Sequence, residues 1–532
     1  MTADLSDDVP VSIPHLLGLR RAEPDGEFLV TDDERLTFAE ADDRSRELAG
    51  ALLTAGAGKG TRIGILFPNS AQWLICWLAA ARIGALTVPL STFAPGPELA
   101  RVLRHTDTQL VLAGQSIAGH SLLDRLEDGL GLAAGPAAIA LPSVPYLRRV
   151  HVWGDYDRSW ATPWPTSSGT PSEVITAAEN EVTPADDLVL VSTSGTTALP
   201  KSVVHTHGSL VRHAYILARH RDVTAADRIY SPMPFFWVGG LVMVVLQALS
   251  AGAAVLAQDV FEPGATLRLL ERERATFISC WPQASRAMAD HPDFHDRDLS
   301  AVRGGTLLEA LPAERRPAEP DLMPNLLGMT ETGGPHTLAE IPDTPLPPER
   351  RGSFGIPFPG THHRIIDPAT GNELPTGQEG EIHVRGLVLM DRIYKRERHE
   401  VFTPDGWYAT GDRGWFDEAG HLHFTGRSNA VIKTAGSNVS PVEVEAVLGD
   451  IDGVLHSFVV DLPHPSRGQV VAAAVVPRRG AVLTADEVIA HARKQLSSFK
   501  VPAVVRILDE DELPMLPTGK VDRQALTGML TR

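Results

Sequence analysis

The segment Val191-Ser-Thr-Ser-Gly-Thr-Thr-Ala-Leu-Pro-Lys201 gathers hydroxyl side chains around one glycine and ends in proline and lysine. Hydroxyls and free backbone N–H groups can surround phosphate oxygens without bulk, and Lys201 adds a point charge, so the loop suits a polyphosphate. The GxxxxGK[ST] pattern is absent, which sets it apart from that nucleotide loop. Taken alone, a polar surface turn has the same composition. His205-Thr-His207 has the spacing of a metal pair, but no third ligand stands near it in the sequence. The run Glu271-Arg-Glu-Arg274 reads as a solvated helix face.

With its neighbours, this loop resembles that of the adenylate-forming superfamily of acyl-CoA synthetases, luciferases and nonribosomal adenylation domains, whose pattern is [ST]SGTTGxPKG. Ala198 and Ser202 replace two of its glycines. Further motifs follow in the family's order. Gly328-Met329-Thr330-Glu331 matches YGxTE, which implies that Thr330 contacts the α-phosphate and Glu331 ligates Mg²⁺. A carboxylate beside phosphate needs a hard cation between them. Leu327 stands where the family usually has an aromatic residue stacked on adenine, and Gly304-Gly305-Thr306 resembles the segment that passes between adenine and the acyl pocket. Tyr408-Ala-Thr-Gly-Asp412 matches the TGD motif, whose aspartate accepts from both ribose hydroxyls. Gly426-Arg427 matches the arginine at the start of the interdomain hinge, with Asn429 at the hinge position. The terminal motif around Gly519-Lys520 implies a lysine that bridges the acid carboxylate to the α-phosphate.

The resemblance therefore implies ATP-dependent activation of a carboxylic acid as an acyl-adenylate, then thioester formation with coenzyme A, using ATP, Mg²⁺ and coenzyme A. Catalytic roles are expected for Thr196, Lys201, Glu331, Lys433 and Lys520. Nucleotide contacts are expected from Thr193, Ser194, Gly195, Thr196, Thr197, Lys201, Gly304 to Thr306, Leu327 to Thr330, Asp412, Arg427 and Lys520. Phe236, Trp237, Gly239, Trp281, Gly305, Met329 and Gly333 are expected at the acid. Many CoA ligases have histidine where this chain has Trp237. No aspartate stands nearby to pair with a substrate ammonium, which favours a fatty or aromatic acid over an amino acid. Lys433, Gly436 and Ser437 fall in the loop that the family uses in the second step. Other acceptors fit the same motifs: a carrier-protein thiol in trans, an amine, or a nitrogen nucleophile in diazotisation. An inactive ATP-binding regulatory module is a reading from another class.

The elements that must position these residues read as α/β. Strand signals at Ile63–Phe67, Thr108–Ala113 and Ala275–Ser279 alternate with helical segments, the pattern of mostly parallel sheets covered by helices. Asn69 is placed to cap a helix whose Trp73, Leu74, Trp77, Leu78 and Ala81 form one stripe. Residues 114–180 lack a sustained period and read as variable surface structure. Ser440 to Glu443 and Thr484 to Glu487 read as capping boxes, with strands at Ser457–Val460 and Val470–Val476. The expected organisation is a large domain of stacked sheets over 1–426, a hinge at 427–429 and a small mobile α+β domain over 430–532.

Composition limits the partners. A chain of 532 residues exceeds one ordinary hydrophobic core, and a formal charge of −18 disfavours nucleic acid and anionic membrane. Cys76 and Cys280 read as buried cytoplasmic thiols, and no secretory signal opens the sequence. The uncharged stretch from Gly239 to Ala257 is broken at Ser250-Ala251-Gly252, so a helix end followed by a short strand is expected there, not a membrane span.

Overall fold

A computed structural model describes residues 9–132, 139–166, 169–193, 201–427, 431–515 and 521–531. The eight-stranded sheet runs, in spatial order, Arg392–Ile393, Lys201–Thr206, Asp187–Thr193, Leu86–Pro89, Arg62–Leu66, Leu110–Ala113, Arg149–Val152 and Thr162–Pro163. From Asp187–Thr193 to the far edge its strands are parallel, while the two strands that flank the phosphate loop are antiparallel. The six-stranded sheet runs Gly304–Gly305, Phe277–Ile278, Arg228–Tyr230, Ala254–Leu256 and Glu27–Val30 in parallel, with Arg35–Thr37 antiparallel at its edge.

Both sheets contribute to one apolar core, in which helix Ala71–Arg82 is central. Eleven of its 12 residues are buried, so it is a core helix, apolar around most of its circumference, and not a single-stripe amphipathic one. Its only cation, Arg82, is fully buried between Asp42 and Glu179, each at 2.6 Å. The cap is Ser70, whose hydroxyl accepts from the Trp73 N–H, and not Asn69. Asn69 instead fixes the next loop: its Nδ2 donates to the Met233 carbonyl at 3.0 Å, and its Oδ1 accepts from the Phe235 N–H at 2.8 Å.

Three further expectations change for the same reason, that burial adds partners the local sequence does not display. Within 114–180, helix Leu122–Leu130 packs in a core, and Arg149–Val152 and Thr162–Pro163 extend the eight-stranded sheet. In the Glu271 to Arg274 run, Glu273 is buried and binds Arg35 and Arg228 at 2.6 and 2.7 Å. Ser440 makes no side-chain cap, because Glu443 is drawn off to Lys500 at 2.7 Å. Thr484 and Glu487 do form a capping box. Gly239 to Ala257 folds as a broken helix with a π-helical turn at Leu241–Leu246, ends at Gly252 and feeds strand Ala254–Leu256. Among the described residues no helix is long and apolar enough to cross a membrane.

A four-stranded antiparallel sheet, Thr361–Ile366, Gly380–Gly386, Tyr408–Phe416 and Leu422–Arg427, ends the large region. The next described strand, Ile432–Thr434, belongs to a different, five-stranded sheet with Ser437–Val439, Gly468–Pro477, Val454–His464 and Val504–Ile507. Its two apolar clusters draw only on residues from Ile432 onward, which is the physical mark of a separate small domain. Asn429 lies outside the described residues.

Candidate active site

Strands Asp187–Thr193 and Lys201–Thr206 pair directly, with Thr193 opposite Lys201, so the phosphate-loop segment closes this hairpin. Ser194, Gly195, Thr196, Thr197 and Lys520 lie outside the described residues. Lys201, the first residue of the returning strand, sends its ammonium to the carboxylate of Glu331 and, at 2.8 Å, to the phenol of Tyr408. The same phenol donates to Glu331 Oε1 at 3.2 Å. Glu331 is only 8% exposed, and it sits beside Lys201 although 130 residues separate them. This is a largely buried cluster of one cation, one carboxylate and one phenol where the strand after residues 194–200 begins. In such a setting charge interactions are stronger than in water.

The turn that carries Thr330 and Glu331 is held from behind. His205 Nε2–H donates to the Thr330 carbonyl at 2.6 Å, and burial pushes this imidazole down to about 4, so it remains neutral. Gly333 follows the turn against Leu210 and His205. The Met390 N–H donates to the Glu331 carbonyl at 2.8 Å. Met329 packs with Tyr408, Phe402 and Met390. Gly328 is exposed.

Leu327 does not present an open face for stacking. It is 6% exposed and packs against Ile365, Ile382, Val384 and Leu422, because a leucine beside a β-sheet gains more from apolar burial than from solvent. Asp412 is buried within its strand, and its backbone pairs across to Arg427. Gly304 and Gly305 form the edge strand beside Phe277–Ile278. Gly305 has φ +112°, and a Cβ there would lie 1.9 Å from the Ile278 carbonyl oxygen, so only glycine fits. The Thr306 hydroxyl accepts from the Cys280 N–H at 2.8 Å and donates to the Cys280 carbonyl at 3.1 Å, which fixes the chain just before Trp281.

The expected acid site is an aromatic assembly. Trp237 contacts Phe236 and Trp281 with ring centroids 5.6 and 5.8 Å apart, and Gly239 packs on Met233 in the loop that Asn69 ties down. Two rings that sequence reasoning missed pack on Trp237. Phe93 lies 5.8 Å from Trp237, and Phe499, from the small domain, lies 6.1 Å from it. The hairpin Ile432–Thr434 and Ser437–Val439 also reaches the large domain. A Cβ on Gly436 would stand 2.8 Å from ring atoms of Trp281, Lys433 lies over the Phe424 ring at 5.5 Å, and Ser437 is buried at the hairpin's return.

This docking is held by a buried ion triad. Lys500 contacts Glu98 of the large domain at 2.6 Å and Glu443 of the small domain at 2.7 Å. Glu98 also accepts from the Ser497 N–H and hydroxyl at 2.7 and 2.8 Å. Burial alone would raise the Glu98 carboxyl, but the Lys500 ammonium and the Ser497 donors outweigh it and hold it below the ordinary carboxylate range. Burial alone would lower Lys500, and its two carboxylates overcome that and raise it. No sequence signal marks this triad, because a carboxylate in the first turn of a helix, with Arg101 three residues on, is ordinary. Tyr408 was visible only as a neighbour of the TGD motif.

Comparison with known proteins shows the family. Residues 20–394 match the model of the AMP-binding enzyme family, and 443–520 match the AMP-binding enzyme C-terminal domain. The chain is 32% identical over 492 residues to a feruloyl-CoA synthase of Amycolatopsis, covering 91% of this chain and 92% of that one. It is 31% identical over 526 residues to the 3-[(3aS,4S,7aS)-7a-methyl-1,5-dioxo-octahydro-1H-inden-4-yl]propanoyl:CoA ligase of Mycobacterium tuberculosis, covering 97% and 98%. Among solved structures, the amide bond synthetase McbA of Marinactinospora thermotolerans superposes with a TM-score of 0.80 at 26% identity, covering 97% and 99%. The chain belongs to the AMP-binding, adenylate-forming enzyme family, in the class of the acyl-CoA synthetases.

Proposed function

We propose that this chain is an AMP-forming acid:CoA ligase for a carboxylic acid without an α-amino group. The observation that carries the reading is the seating of the small-domain hairpin on Trp281 while Lys201 and Glu331 meet at the phosphate loop, which gathers parts for both half-reactions around one acid site.

In the first step a carboxylate oxygen attacks the α-phosphorus of ATP, the bond to the β-phosphate oxygen breaks and pyrophosphate leaves. Anions react here, so the protein's task is positioning and charge neutralisation. Lys201 balances the outer phosphates, Thr330 orients the α-phosphate and Lys520 bridges it to the acid. Asp412 and Arg427 hold the ribose. Glu331 suits a Mg²⁺ ligand because it is a buried carboxylate already committed to a cation; bound Mg²⁺ would supply further neutralisation of phosphate charge. In the second step the thiol sulfur attacks the acyl carbonyl carbon and AMP leaves. Rotation about residues 427–429 exchanges Lys520 for the Lys433 to Gly436 hairpin between the steps.

The aromatic wall of Phe236, Trp237 and Trp281 supports an aromatic or fatty acid, and the name of the feruloyl-CoA synthase points the same way. An amine acceptor is the second reading, favoured by the likeness to the amide bond synthetase. Incubating the protein with Mg-ATP and a panel of aromatic, fatty and amino acids, with and without coenzyme A or simple amines, tests both. A CoA thioester identified by mass is expected. An adenylate that ignores coenzyme A but yields an amide would replace the first reading with the second, and absence of pyrophosphate release from every acid would overturn both.

A further inference from the structure

Behind the Lys201, Glu331 and Tyr408 cluster lies an open cavity of about 460 Å³, lined by Thr206, Ser209, Arg212, Arg385, Asp391 and Arg398, with Phe402 at its wall. Its charge is unusual for this molecule. The protein carries −18 overall, and many of its arginines are bound to carboxylates. The three arginines of the cavity instead use backbone carbonyls: Arg212 reaches Gly208 at 3.5 Å, Arg385 reaches Asp405 at 3.3 Å and Arg398 reaches Asp391 at 3.3 Å. Among the described residues none of the three has a carboxylate oxygen within ion-pair distance. The one carboxylate in the lining, Asp391, is taken by Arg392 at 2.7 Å.

Two of the guanidinium planes are already oriented. Arg385 lies over the Trp407 ring at 4.7 Å and Arg398 over the Phe402 ring at 4.6 Å, which lowers the entropy lost when they grip a ligand. Thr206 caps helix His207–His220, and with Ser209 it brings hydroxyls and the positive end of the helix dipole to the same cavity. The wall is tied to the catalytic cluster through the Met390 N–H, which binds the Glu331 carbonyl, and through Phe402, whose ring stands 6.1 Å from that of Tyr408.

We propose that this cavity is a second anion site, separate from the phosphate loop, that takes a multiply charged phosphate. Three guanidinium groups with planar forks line one cavity and suit phosphate oxygens, and the volume admits more than one phosphate. Two sources share this chemistry: inorganic pyrophosphate leaving the first half-reaction, and the phosphorylated nucleotide end of coenzyme A. Only the source depends on the ligase reading; the anion site itself does not.

Calorimetric titration of the full chain with sodium pyrophosphate and, separately, with adenosine 3′,5′-bisphosphate at constant ionic strength tests it. The paired variants are Lys201→Ala, which removes the phosphate-loop cation, and Arg385→Gln/Arg398→Gln, which neutralises two exposed side chains. The expected result is an anion-binding event that survives Lys201→Ala and weakens at least about tenfold in the double variant, as loss of charge-assisted contacts requires. Arg385→Lys/Arg398→Lys is expected to restore part of it. Preference for pyrophosphate over the bisphosphate assigns the leaving group as the source, and the reverse preference assigns the nucleotide. Identical isotherms for the wild type and the double variant, with the latter's melting temperature unchanged, would overturn the site whether or not the protein makes a thioester.

Discussion

The phosphate side of the active site and the seam between the domains are both buried and both charged, yet they are built differently. Lys201, Glu331 and Tyr408 all belong to the large domain, and their positions follow from a strand start, a tight turn and an antiparallel sheet. The seam of Glu98, Lys500 and Glu443, with Phe93, Trp237 and Phe499 beside it, exists only while two domains touch. The first arrangement is preorganised, so it stabilises charge without rearranging. The second is a contact between domains, and on the proposed two-step mechanism it would open and close. A buried ion pair suits that use, because its desolvation cost keeps the net gain small while its geometry keeps the docked pose unique.

The widest separation of the two regions is expected from Lys520→Ala. Pyrophosphate release should fall by about 10²-fold or more with ATP affinity nearly kept, since the lysine acts chiefly on the transition state. Equilibrium ATP binding set against single-turnover release checks this, and unchanged release would remove the role. Gly436→Val comes next. The residue has φ +83° and lies on the Trp281 ring, so a branched side chain meets both backbone strain and a clash. Thioester formation from preformed adenylate should slow at least about tenfold, while adenylation changes little. Equal loss in both steps would show that the hairpin serves more than the second.

Glu98→Gln tests the seam itself. It leaves Lys500 with Glu443 only, and removing one partner of a buried pair typically costs about 3 kcal/mol, here charged against docking. Indole fluorescence around Trp237 and thioester turnover should both report a more open population, with the melting temperature of the large domain nearly unchanged. An unaltered docked fraction would contradict the latch. The pH response follows from the same groups. Glu98 is lowered from 4.5, so its contribution is complete above that value and is lost as pH falls through the lowered pKa of the docked state. Lys500 is raised from 10.5, so its contribution is present below that value and is lost as pH rises through the raised pKa. Docking should therefore be flat across neutral pH and weaken at both extremes, and a midpoint near neutrality would point to some other group. The smallest effect is expected at Thr484→Ala, which removes a capping box remote from both regions. It should cost the small domain about 1 kcal/mol in denaturant titration and leave both half-reactions unchanged.

The sequence by itself determined the chemistry and much of the architecture. The hydroxyl-rich loop, Glu331, Asp412 and Lys520 are marked by their resemblance to motifs in the family's order, and of these the structure brings Glu331 to Lys201. The alternating strands and helices were legible because burial imposes a period. Only the tertiary structure decided which polar groups serve the site and which serve the fold. Asn69 reads as a helix cap and is instead the tie that holds the aromatic loop. Leu327, expected at the nucleotide, has its side chain buried against the four-stranded sheet. Glu443 reads as part of a capping box and joins a triad with Glu98, 345 positions earlier. Local sequence records what a side chain can bond to, but the partner it chooses depends on which distant group is brought within reach and how dry that meeting place is, and both are set by the packing of whole domains.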